Sequence, residues 1–223
     1  MAHAPRQLGL VIRTWGGRRR GAGRKPAPGR RRTPHRRRPT HDPHCPVHIT
    51  FRARSGLPSL RGDAIFAAIS RAFGAASRQS FRLLAFSVQS DHLHLVVEAD
   101  GPTRLARGVQ GVAIRVARAI NRALGRSGSV WDSRYHAHPL KTPREVRNAF
   151  VYVIQNVRKH LRGVIGLDPY SSARWFSGWR SIAAAPLALA PVVAPRTWLA
   201  RVGWRKHGLI DIAEGPRRPS HER

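Results

Sequence analysis

Residues 81–99, FRLLAFSVQSDHLHLVVEA, decide the fold. Residues 81–89 form a nearly unbroken run of apolar, aromatic and branched side chains, the composition of a buried strand. Ser90 and Asp91 supply a tight turn, and residues 92–98 continue as a second strand, making a hairpin. Side chains alternate across a strand, so Leu93, Leu95 and Val97 take one face while His92, His94 and Val96 take the other. The hairpin thus buries aliphatic residues on one side and presents two imidazoles together on the other. That spacing lets both rings bind one metal ion, provided a third ligand comes from elsewhere in the chain.

Upstream, Val47, Ile49, Phe51 and Ala53 alternate with His48, Thr50, Arg52 and Arg54, the period of a half-buried strand. After the turn SGLPS, Ile65, Phe66, Ala68, Ile69, Ala72 and Phe73 fall at helical spacings within residues 61–77. Downstream, residues 103–124 read as an amphipathic helix. At about 100° per residue, Leu105, Val109, Val112, Val116, Ile120 and Leu124 share one arc, and Arg104, Arg107, Arg115, Arg118 and Arg122 share the opposing one. Residues 130–140, VWDSRYHAHPL, read as a fourth strand. Thr142, Pro143 and Glu145 then supply an N-cap, a first-turn proline and a capping-box glutamate, which start a helix running to about Leu161. The order β-α-β-β-α-β followed by a further helix predicts an α+β fold, a ferredoxin-like sandwich with an antiparallel sheet and an extra C-terminal helix.

Charge points to a polyanionic partner. The chain has 223 residues, with 41 Lys and Arg against 11 Asp and Glu, a formal net charge of +30. The Arg-, Gly- and Pro-rich segment 1–44 reads as a disordered basic arm, because it lacks the apolar surface to offset its ordering entropy. Residues 45–162 form the predicted folded domain, and 163–223 a Trp-, Pro- and Arg-rich C-terminal extension with no independent core. One cysteine, Cys45, excludes an intrachain disulfide and fits a reducing, cytoplasmic compartment. No apolar run is long enough for a bilayer, so no membrane association is expected. A cluster of His41, His44, Cys45 and His48 has metal-binding chemistry but no second ligand pair.

The last helix carries the second candidate group. Centring its polar face on Tyr152 brings Glu145, Asn148, Gln155, Asn156 and Lys159 within about 60° of it. Val146, Phe150, Val153, Ile154, Val157 and Leu161 form the apolar arc, so Tyr152 lies outside the stripe expected to pack. Tyr135 is the competing tyrosine, but strand alternation sets it with Trp131, opposite His136 and His138, which reads as packing. Arg134 and His136, on the other side of that strand, are candidate phosphate contacts, as is Lys159.

Three motifs in order, DHLHLVVEA, WDSRYHAHPLKTPREV and YVIQNVRKH, resemble those of the single-tyrosine HUH transposases, and most closely the REP-associated tyrosine transposases, over about residues 46–180. The resemblance implies that His92 and His94 bind Mg²⁺ or Mn²⁺, that Asn156 completes the metal site with Gln155 as second choice, and that Tyr152, on a catalytic helix, attacks the scissile phosphate. It implies single-stranded DNA hairpins as partner, no ATP or other nucleotide cofactor, a monomer or homodimer, and a cytoplasmic, nucleoid-associated protein. The chain departs from the family in reading Asn156-Val157 where members often have Asn-Pro. A domesticated hairpin-binding protein without cleavage is the alternative reading. Histidine-triad hydrolases need a third histidine where this chain has Val96, metallo-hydrolases with His-x-His-x-Asp-His fail at the same place, and the strands lack the exposed aromatic pair of RNA-binding sheets.

Overall fold

The structure, a computed structural model, describes residues 40–160 and 166–216. The expected basic arm lies outside the described residues up to position 39, and the last seven residues of the extension lie outside them too. The fold takes in residues before Cys45: His41 is buried, with Nε2 2.8 Å from the Ala99 carbonyl.

Four strands, β1 (Val47–Arg52), β2 (Phe81–Val88), β3 (His92–Ala99) and β4 (His136–Pro139), form one antiparallel sheet in the order β2-β3-β1-β4. Helices α1 (Asp63–Gly74) and α2 (Pro102–Ala123) follow β1 and β3, completing the predicted α+β arrangement. The fourth strand is shorter than the expected 130–140. Among the described residues, a bridge between Ala53 and Trp131 is what continues the pairing upstream of His136.

The sheet separates two cores. On one face Val47, Ile49, Phe51, Leu93, Leu95 and Val97 pack against α1 and α2, with Val109, Val112, Val116 and Ile120 as the buried stripe of α2. Each such fully buried side chain contributes about 1.5–3 kcal/mol. Gly108 lets α2 approach closely, since a Cβ there would overlap the Phe81 ring. On the opposite face Val96, Leu84 and Ala85 pack against α3 (Pro143–Ile154). Leu84 and Ala85 both reach this second core because the β2–β3 register shifts between Leu83 and Ala85, a bulge that adds one residue to β2.

The start of α3 follows the sequence: Thr142 caps it, Glu145 returns the capping box, and Pro143 opens the first turn. Its end does not. The helix stops at Ile154 and a separate turn, α4 (Val157–His160), follows. Gln155 causes the break by facing the extension, its Nε2 donating to the carbonyls of Asp211 (3.1 Å) and Ile212 (2.8 Å), while Arg158 N donates to Gln155 O in a tighter i to i+3 turn.

Residues 166–216 add no separate core; most of their buried residues join the second one, and Val192 joins the first. Trp179, Trp204, Ile210 and Leu199 are buried against α3, and the Phe150, Phe176 and Trp204 rings meet at 5.2–5.6 Å. Covered on this side as well, α3 buries Ala149 and Val151, which lie off its predicted apolar arc. Buried carboxylates fasten the segment. Asp168 accepts two hydrogen bonds from Arg61, and Glu98 accepts from Arg196 N, Thr197 N and Thr197 Oγ1. Thr197 in turn caps the short helix α5 (Trp198–Arg201). No helix among the described residues is long and apolar enough to cross a membrane.

Candidate active site

Strand alternation and antiparallel register assemble the site on the face that carries α3. His92 and His94 of β3 stand opposite Arg52 and Thr50 of β1, and His136 of β4 stands opposite Thr50 on its other side. His48 pairs with Val96 and His138. One face of three strands therefore presents His92, His94, His48, His136 and His138 around Thr50.

The two imidazoles of the HLH stretch are each held at Nδ1. His92 Nδ1 lies 2.6 Å from Asp91 Oδ1, and Arg52 reaches the other carboxylate oxygen at 3.4 Å. The hydrogen bond from His92, then the charges of His92 and Arg52, hold the Asp91 carboxyl below its ordinary range in spite of some burial. His94, buried, has Nδ1 3.2 Å from both His48 Nε2 and Thr50 Oγ1. Burial, then the neighbouring His138 and His136, push the His48 pKa down to about 4. His48 is thus neutral near pH 7, and its Nε2 can accept a proton shared from His94.

Tyr152, half-buried on α3, lies against these rings. Its ring centroid is 5.0 Å from that of His94, with the planes at 82°, and 5.6 Å from that of His48, at 70°. His92 and His94 lie 4.7 Å apart, nearly perpendicular. Tyr135 sits on the other side of the sheet, 5.8 Å from Phe51, as strand alternation predicts. Tyr170 is occupied in donating to Asp63 Oδ1 at 2.7 Å. Tyr152 is thus the tyrosine seated against the histidines.

Asn156 and Gln155, expected on an open polar face, are both buried, Gln155 against the extension. Gln155 is committed: Nε2 donates to Asp211 and Ile212, and Oε1 accepts from Arg158 Nε at 3.0 Å. Asn156 is 0% exposed, and neither its Oδ1 nor its Nδ2 finds a hydrogen-bond partner among the described residues. An amide buried in that state costs about 1–3 kcal/mol per group, so the position suits a bound ion better than an apolar core.

Other sequence expectations separate here. His41, His44, Cys45 and His48 do not form a metal cluster: His41 bonds to Ala99, Cys45 Sγ donates to Asp42 Oδ2 at 3.6 Å, and His48 faces His94. Among the described residues no three His, Cys, Asp or Glu side chains close around one point, so two imidazoles need an amide or substrate oxygens to complete an ion's shell. Arg134 and His136 are exposed beside the site. Arg104, Arg107, Arg115, Arg118 and Arg122 are exposed too, but α2 lies across the sheet from the histidines, so the stripe is not brought to them. The Lys159 side chain lies outside the described part. Sequence reading put His48 in a different cluster, took Asp91 for a turn residue only, and assigned no role to Thr50 or His138; the signals were the polar positions of VHIT and the acid directly before HLH.

Comparison with known proteins bears on the fold and the family. No curated protein matches the chain. Among solved structures, it is similar to a REP-associated tyrosine transposase bound to a REP hairpin, with a TM-score of 0.50 and 17% identity over 63% of this chain and 82% of that one, a likeness of fold. The family described as IS200-like transposases matches residues 43–156, a span from just before β1 to Asn156 that includes every residue of the histidine and tyrosine cluster, and the chain belongs to that family.

Proposed function

We propose that the chain cleaves and rejoins single-stranded hairpin DNA through Tyr152. The observation that carries this reading is the contact of the Tyr152 ring with both His94 and His48 on the face that also holds His92. The Tyr152 oxygen attacks the scissile phosphorus as the bond from phosphorus to the 3′ oxygen breaks, and the proton released from the phenol is balanced by one gained on the departing 3′-hydroxyl. The DNA stays linked to Tyr152 by its 5′ phosphate, and a 3′-hydroxyl reverses the step without an external energy source.

With Nδ1 of each ring engaged, His92 and His94 would hold Mg²⁺ or Mn²⁺ through Nε2, and Asn156 through Oδ1. Such an ion, when bound, offsets charge on the phosphoryl oxygens. Asp91, Thr50 and His48 orient the two rings, the outer support that ligating histidines need. Arg134, His136 and Lys159 are the proposed phosphate contacts beside the site, and the α2 arginines a second, separate phosphate-binding surface.

The test is a denaturing gel with labelled hairpin DNA and Mg²⁺ or Mn²⁺. Wild type and Tyr135→Phe should give a slowly migrating protein–DNA adduct, and Tyr152→Phe none, while Tyr152→Phe still binds the hairpin. An adduct that persists in Tyr152→Phe and disappears in Tyr135→Phe would overturn the assignment. No adduct from wild type would favour a binding-only protein.

A further inference from the structure

On the histidine face of β2 the side chains change from apolar to polar as the strand nears the HLH stretch. Ala85 stands opposite Val96 and Ser87 opposite His94, and Gln89 N donates to His92 O at 2.8 Å across the turn. Alternation sets Ala85, Ser87 and Gln89 on this side of β2, while Phe86 and Val88 enter the opposite core. Gln89 therefore flanks His92 from β2 as Arg52 flanks it from β1. Residues facing each other across antiparallel strands have Cβ atoms about 4.5–5.5 Å apart, which brings the Gln89 amide within reach of the His92 ring. Ser87 and Gln89 are both buried, and Gln89 Nε2 donates to Ser87 Oγ at 2.5 Å. Burying an amide is costly unless its polar atoms are used. With the nitrogen held at Ser87, the oxygen is the end left to accept, and no donor among the described residues meets it. A carbonyl oxygen beside an imidazole suits a hard cation such as Mg²⁺ or Mn²⁺.

The two imidazoles are turned toward the same side. His94 Nδ1 is engaged with Thr50 and His48, both on β1, and His92 Nδ1 with Asp91, whose other oxygen is drawn to Arg52 of β1. The two nitrogens of an imidazole diverge across the ring, so both Nε2 atoms turn away from β1, to the side on which β2 carries Ser87 and Gln89. Charge favours the same side. The Arg52 guanidinium repels a cation on the β1 flank of His92, and the neutral Gln89 amide offers it an oxygen on the other.

We infer that Gln89 is a further ligand of the proposed ion, its Oε1 joining the His92 and His94 Nε2 atoms and Asn156 Oδ1. The inference rests on the proposed metal-assisted strand transfer and adds to it a ligand from β2, so that the two strands of the 81–99 hairpin hold the ion between them. Ser87 is the positioning residue: by fixing the amide nitrogen it presents the oxygen.

The experiment uses the full chain without DNA and reads Mn²⁺ binding from the paramagnetic resonance signal of the free ion, with melting curves in EDTA to check folding. Gln89→Met, close in size but without an oxygen, should bind Mn²⁺ about tenfold more weakly than wild type. Gln89→Glu keeps an oxygen and adds a negative charge, and should bind at least as tightly as wild type. A role confined to holding Ser87 predicts otherwise, since glutamate lacks the amide donor as methionine does. His94→Ala should abolish binding in the same assay. Unchanged binding in Gln89→Met, or equal losses in Gln89→Met and Gln89→Glu, would remove Gln89 from the shell while the loss in His94→Ala leaves the histidine site standing. If Gln89→Met is poorly folded, Gln89→Glu decides, and weaker binding than wild type refutes the inference. Mn²⁺ binding that survives His94→Ala, or a wild type that binds none, would overturn the metal reading and this inference together.

Discussion

Replacing Asn156 with leucine should raise the stability of the metal-free protein while removing its response to divalent ions. Asn156 is fully buried, and both polar atoms of its amide lack a hydrogen-bond partner among the described residues. At about 1 kcal/mol for each such group, the low end of the usual cost, an apolar side chain recovers about 2 kcal/mol. Leucine's branched end fits a pocket shaped for a planar amide imperfectly, at a cost of about 1 kcal/mol. The net gain of about 1 kcal/mol corresponds to a Tm about 2–4 °C higher for a chain of this size. Wild type behaves oppositely: a metal at a hundred times its dissociation constant should stabilise it by about 2.7 kcal/mol. Melting curves in EDTA and in excess Mn²⁺ separate the two effects. A lower Tm for Asn156→Leu in EDTA would mean that the amide is satisfied within the fold. A full Mn²⁺ response in the variant would mean that it is no ligand.

Three further outcomes follow from the extension and the charged surface. Glu98→Ala leaves Arg82 and the Arg196 and Thr197 backbone donors without their buried acceptor, and should cost about 3–5 kcal/mol in urea unfolding. Arg147→Ala removes a two-point ion pair with Glu214, at 2.6 and 2.8 Å, together with donation to Gly208 O. It should cost about 1.5–3 kcal/mol and open residues 208–216 to limited proteolysis. Replacing Arg104, Arg107, Arg115, Arg118 and Arg122 with glutamine should flatten the plot of log affinity against log salt by about 0.7–0.9 for each phosphate that the helix no longer neutralises. An unchanged slope would remove α2 from the DNA surface.

The parts of the fold that sequence reading reached are those specified by neighbours in the chain. The 81–99 hairpin, the buried stripe of α2 and the capping box of α3 rest on alternation, helical spacing and a four-residue motif. The His92, His94 and Tyr152 cluster was equally legible, because each residue sat on a face that periodicity defines. The break after Ile154 was not, since it depends on Gln155 meeting carbonyls 56 and 57 residues downstream. Trp179, Trp204 and Ile210 likewise carry no period, and their burial comes from long-range packing against α3 residues such as Phe150. His48 was hidden for a related reason. A polar residue on a half-buried strand reads as solvent-facing until the register with β3 sets it against His94.

The same downstream carbonyls impose an order in time. A ribosome that has just delivered Tyr152 has made His92, His94 and Tyr152, yet it must still add Asp211 and Ile212 before Gln155 can bond to them, and Glu214 before Arg147 can. The tyrosine helix therefore reaches its final seat only after the histidines it faces have long been synthesised. A nascent or prematurely terminated chain would carry His92, His94 and Tyr152 while lacking the clamp on the tyrosine helix, so synthesis itself acts as a delay before the proposed site is complete.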